Sequence, residues 1–101
     1  MGKQEKPGVD IRRLRYFLAV CDHGGVSRAA VAIGVAQPAL TRQIQLLEHE
    51  LGVELVTRNG RNALPTEAGQ ALLARMRPHL DGLDTAVDYI RHEFSAEPTR
   101  V

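Results

Sequence analysis

The sequence predicts a mostly α-helical chain: three short helices closed by a two-stranded hairpin, followed by one long helix. Three observations predict it. Between Val26 and Gln45 two short helical patterns meet at Gly34 with almost no linker. Beyond Gly52 the pattern turns extended, and Asn59-Gly60 sits between two short runs. Asn-Gly in that setting is the strongest local signal for a tight hairpin, because a type I′ turn needs positive φ at both central residues. From Thr66 to Phe94 apolar residues recur at alternating spacings of three and four, the pattern of a heptad seam. The 101 residues have room for one small domain and this helix, and not for a second cored module.

Each element has its own start and stop. Residues 1–8 mix charge with Gly2, Pro7 and Gly8 without periodicity and are expected to be a flexible lead-in. Asp10 is placed to cap a first helix in which Ile11, Leu14, Phe17 or Leu18, and Cys21 recur at helical spacing, and Gly24 and Gly25 end it. Ser27 is expected to cap a second helix from about Arg28 to Ile33. Ala29 and Ala30 are small enough for another helix to cross closely, and Gly34 supplies the left-handed stop. Gln37 and Pro38 restart helix at once, with proline in the first turn where its missing N–H costs least. This third helix runs to about Leu51, with Leu40, Ile44, Leu47 and Leu51 on one side and Gly52 as its stop.

Glu54-Leu55-Val56-Thr57 and Asn62-Ala63-Leu64 flank the turn Arg58-Asn59-Gly60-Arg61. A hairpin directly after such a pair of helices is a wing, so residues 9–65 read as a winged helix-turn-helix with the helix-turn-helix at 26–45. Arg58 and Arg61 at the wing tip are placed to reach a phosphate or an adjacent minor groove. Thr66 is a reasonable cap, with Glu67 in the first turn, for a helix over 66–94. Its stripe is Leu73, Met76, Leu80, Leu83, Val87, Ile90 and Phe94. A domain this small cannot cover a stripe on a helix ~40 Å long, so the seam is expected to pair with the same helix of a second chain as a coiled coil. The alternative, folding back on its own first helix, is open to short bundles. Pro78 falls at heptad position f, away from the seam, which predicts a kink without loss of pairing. Residues 95–101 carry no pattern and are expected to be a flexible tail.

Charge is consistent with a nucleic-acid partner without being diagnostic. The net charge of only +1 by itself argues weakly against nucleic acid, since a strong electrostatic binder usually carries a basic excess. Up to Leu64 there are nine Lys and Arg against six Asp and Glu, and from Pro65 four against six, so positive charge gathers on the half with the helix-turn-helix. No apolar run is long enough for a membrane span and none follows the start in the manner of a signal peptide, so the chain is expected in the cytoplasm. One cysteine, Cys21, rules out an internal disulfide and reads as a small core residue. Zinc needs convergent ligands, and Cys21 with His23, His49, His79 and His92 lacks paired spacing. Ser27 has no evident base, no glycine-rich phosphate loop is present, and Glu48 and Glu50 read as solvated helix faces. Neither an enzyme nor a cofactor is expected.

Over roughly Val9 to Phe94 the chain resembles the N-terminal DNA-binding region of LysR-type transcriptional regulators of bacteria. The matching stretches are LRYFLAV, VSRAA, QPALTRQI followed by LE, LGVEL with TR, and TEAG. The resemblance implies a winged helix-turn-helix with long linker helices paired antiparallel in a dimer. It further implies an interrupted palindrome near a promoter as the site, and a small-molecule effector bound to a C-terminal domain absent from this chain. It places base-reading and phosphate positions at Gln37, Pro38, Thr41 and Arg42, with the wing arginine at Arg61. Three departures from the family pattern stand out. Ala36 replaces a usual Ser or Thr, removing a cap worth about 1 kcal/mol; Val56 replaces a usual Phe; and Leu64-Pro65 alters the return strand of the wing.

Geometry supports the same face independently. Opposite the apolar Leu40, Ile44 and Leu47 lie Pro38, Thr41, Arg42 and Gln45, while Gln37 sits at the helix start, where base edges come closest. Gln pairs with adenine, Arg with guanine or phosphate, and Thr or Pro touches a thymine methyl. Ser27, at the start of the second helix, is a further candidate contact. The sequence thus predicts sequence-specific binding of double-stranded DNA by a homodimer that regulates transcription. The competing reading is a protein-interaction scaffold, in which the winged fold and the coiled-coil helix bind a partner protein.

Overall fold

The computed structural model describes residues 8–57 and 64–95. Asp10 opens the first helix, α1 (Ile11–His23): its carboxylate accepts the N–H of Arg12 at 2.8 Å, and Gly24 at φ 79° closes it. Such a cap contributes about 1 kcal/mol. Phe17 and Val20 are fully buried, while Leu14, Leu18 and Cys21 are half-buried. Ile11, expected on the same stripe, is 47% exposed. A helical side chain covers the turn before its own Cα, and at the first residue of a helix no such turn exists.

The second helix, α2 (Val26–Ile33), starts before Ser27 rather than after it. Its N-cap is Gly25, with no side-chain cap bond, so the expected capping role of Ser27 is corrected: Ser27 lies inside the first turn. Ala29 and Ala30 are buried as the close crossing requires. Gly34 takes φ 75°, and its N–H and that of Val35 bond back to the Ala30 carbonyl at 2.9 and 3.0 Å. The third helix, α3 (Gln37–Leu51), follows after a short turn, with Pro38 in its first turn and Gly52 at φ 73° as its stop. Leu40, Ile44 and Leu47 are buried. Leu51 is 38% exposed, the last helical residue before the chain turns away at Gly52.

These three helices pack pairwise into one core. Arg13 ties α1 to α3 from outside it, donating from Nε to Gln43 Oε1 at 2.9 Å and from Nη1 to Glu50 Oε2 at 2.8 Å. Glu48, expected on a solvated face, instead turns to the chain beyond α3, where its Oε2 accepts the N–H groups of Leu55 and Val56 at 2.8 and 3.3 Å. One carboxylate thereby satisfies two extended-chain donors and fixes how the chain leaves α3. Val56 and Pro65 form an antiparallel bridge, flanked by Thr57 N–H to the Leu64 carbonyl at 2.8 Å and Thr66 N–H to the Leu55 carbonyl at 2.9 Å. Val56 is fully buried despite its reduced size. Among the described residues this bridge is the extent of strand pairing; the Asn59-Gly60 turn lies outside them.

Thr66 caps the long helix, α4 (Glu67–Phe94), as expected. Its Oγ1 accepts the N–H of Gly69 at 3.0 Å and donates to the Glu54 carbonyl at 2.7 Å. Gly69 is buried, and a Cβ there would fall on the carbonyl oxygen of Leu55. The chain divides into two compact units, residues 1–71 and 72–101. In the second, α4 continues unbroken through Pro78.

Candidate nucleic-acid interface

The two faces of α3 separate cleanly. Leu40, Ile44 and Leu47 are at most 1% exposed, whereas Gln37, Pro38, Arg42 and Gln45 are exposed and Thr41 is half-buried. Pro38, Thr41, Arg42 and Gln45 fall within a sector of ~100° at 3.6 residues per turn. The predicted reading face is therefore assembled on one rigid element and open to solvent. Its chemistry is a cation, two carboxamides, a hydroxyl and a proline ring, a set able to donate to and accept from base edges.

The field at this end of the fold favours an anion. Neither α2 nor α3 has an acidic residue in its first turn, and neither start is sealed by a side-chain cap. The positive ends of the two helix dipoles thus face no carboxylate of their own first turn and suit an incoming phosphate. Ala36 removes the usual capping hydroxyl from α3 but leaves that helix start open. The starts of the two helices are joined by one side-chain bond, from the Ser27 hydroxyl to Gln37 Oε1 at 3.0 Å. Arg58 and Arg61, predicted for the wing tip, lie outside the described residues.

The stripe on α4 is divided. Leu73 is half-buried, and Met76 and Leu80 are buried, at 6% and 4% exposure. Leu83, Val87, Ile90 and Phe94 remain 45–69% exposed, at the expected spacing. Tyr89, outside the predicted stripe, meets Phe94 edge to face with ring centroids 6.2 Å apart.

Sequence reasoning missed four supports of this interface. The Arg13 clamp and the Glu48 carboxylate act across separations that no local pattern announces. The Ser27–Gln37 bond was hidden by placing the start of α2 too late. Gly69 did carry a signal, since a glycine in the first turn of a helix suggests close backbone approach. Among the described residues no group of three or more His, Cys, Asp and Glu gathers as a metal site, and no helix is long and apolar enough to cross a membrane.

Comparison with known proteins settles the lineage. Residues 11–70 match the family described as bacterial regulatory helix-turn-helix protein, lysR family. The chain belongs to the LysR family. It is 45% identical over 91 residues to the SDS degradation transcriptional activation protein of Pseudomonas sp. (strain ATCC 19151), covering 87% of this chain and 30% of that protein. To the small neutral protease regulatory protein of Streptomyces coelicolor it is 41% identical over 86 residues, covering 85% and 27%. The chain thus spans somewhat less than a third of the length of these LysR relatives. Among solved structures, the BenM DBD complex with catB site 1 DNA superposes with a TM-score of 0.79 at 35% identity, covering 88% of this chain and 99% of that one. The CbnR DBD–DNA complex gives a TM-score of 0.74 at 39% identity, covering 83% and 97%. The described fold is accordingly the four-helix, winged helix-turn-helix fold of LysR DNA-binding domains. By name these relatives are regulatory proteins.

Proposed function

We propose that this LysR-family chain binds double-stranded DNA sequence-specifically as a homodimer at an interrupted palindrome near a promoter, and so regulates transcription in the bacterial cytoplasm. The observation that carries the reading is the exposed polar sector of α3, held on a buried apolar face beside two unsealed helix starts. In this reading Gln37, Pro38, Thr41, Arg42 and Gln45 meet base edges and phosphates in the major groove. Residues 55–57 and 64–66 form the base of a two-stranded wing whose tip brings Arg58 and Arg61 to the backbone or minor groove. The open part of the α4 stripe pairs with its copy in a second chain, setting the two reading helices one turn of B-DNA apart, ~34 Å, or a multiple of it. Response to a small-molecule effector belongs to a C-terminal domain outside these 101 residues.

The competing class is the protein-interaction scaffold, favoured by the exposed Leu83, Val87, Ile90 and Phe94. Affinity separates the two. Binding at physiological salt to a palindromic duplex selected from a randomised pool, far above binding to its scrambled counterpart, is expected of the regulator. Equal weak binding to both contradicts it.

A further inference from the structure

Ser27 and Gln37 are ten residues apart on different helices, and their side chains, on the exposed side of the fold, are joined at 3.0 Å. Neither residue serves as a helix cap. The N-cap of α2 is Gly25, which leaves the Ser27 hydroxyl free of capping, and the N-cap of α3 is Ala36, which leaves Gln37 as the first helical residue. A glutamine side chain at an exposed helix start has many rotamers and two amide orientations. The bond from Ser27 selects among them. Because the hydroxyl donates to Oε1, the carbonyl end of the amide turns toward α2 and the NH2 end turns away from it.

We propose that Ser27 is a positioning residue that holds the Gln37 amide with its NH2 toward the DNA, so that this position selects a base edge that accepts a hydrogen bond. The inference rests on the reading of the α3 face given above. Purine N7, guanine O6 and thymine O4 meet the requirement, and the cytosine amino group does not. Oε1 keeps a second lone pair, so adenine, with N7 as acceptor and its amino group as donor, remains compatible. A cross-helix bond formed before DNA arrives also means that the ordering of Gln37 is not deferred to the binding step.

The test uses the whole 101-residue chain. Wild type, Ser27→Ala, Ser27→Thr, Gln37→Ala and the Ser27→Ala/Gln37→Ala double variant are each used to select from a randomised duplex pool. Fluorescence anisotropy then measures affinity for the wild-type winner and for each base change at the position that Gln37→Ala relaxes. Ser27→Ala is expected to relax that same position and to weaken binding to the winner by about 3- to 10-fold, the range of one lost hydrogen bond. It should leave the salt dependence unchanged and add nothing to Gln37→Ala, while Ser27→Thr restores the preference. Two results overturn the proposal while leaving the α3 reading intact. One is a Ser27→Ala loss that is equal on all duplexes with a shallower salt slope, the mark of a phosphate contact. The other is a loss fully additive with that of Gln37→Ala. If Gln37→Ala itself leaves every preference unchanged, the reading of the α3 face fails, and this inference with it.

Discussion

The α-carbon of Gly69 faces the carbonyl of Leu55, and that carbonyl is already held by the N–H of Thr66 at 2.9 Å. A Cβ at residue 69 would strike the Leu55 oxygen and would also lie 3.2 Å from both the Leu55 carbonyl carbon and Pro65 Cβ. Backbone on that side cannot step back without breaking the Thr66 bond. Ala ordinarily gains helix propensity over Gly by roughly 0.5–1 kcal/mol, but the overlap outweighs it here. Gly69→Ala is expected to destabilise the chain by about 1–3 kcal/mol in urea unfolding. An unchanged or raised midpoint would show that α4 does not start this close to the extended chain. At this scale the sequence was partly legible. Asp10, Gly34, Gly52 and Thr66 act as their types predict because each works on neighbours within a few residues. Arg13, Glu48 and Ser27 act on partners 37, 8 and 10 positions away, where local pattern carries no information.

Among elements, α1 and α3 follow the periodicity of their apolar residues with two end effects, at Ile11 and Leu51. The wing is the least legible element. Among the described residues its pairing is the Val56–Pro65 bridge, beside which the Glu48 carboxylate accepts the N–H groups of Leu55 and Val56, and its predicted turn falls outside them. In α4 the periodicity gave the stripe but not its division into buried and exposed positions, because spacing along a helix does not say which turns are covered. The prediction for this element concerns the open part. Leu83 and Val87 are 45% and 47% exposed, and in the proposed dimer they pack in the seam between the two α4 helices. Leu83→Asp or Val87→Asp places an unpaired charge in that seam and should give monomers in sedimentation velocity, with the helical content of the monomer retained. A dimer unchanged by either substitution would remove the α4 stripe from the interface.

For the molecule as a whole, family membership and fold fix what kind of surface α3 presents, while in the proposed reading the residues on it decide which DNA is preferred. A net charge of +1 gives little sequence-independent attraction, so in the proposed complex affinity would come from specific contacts aligned twice by the proposed dimer. In the proposed complex the exposed face of α3 reads base edges. The most direct test is to measure binding of wild type, Gln37→Ala and Arg42→Ala to the selected palindrome and to single-base variants of it at fixed physiological salt. Each substitution is expected to cost about 1–3 kcal/mol on the palindrome and to abolish discrimination at one base pair in each half-site. Binding and sequence preference that are the same in all three proteins would contradict the account.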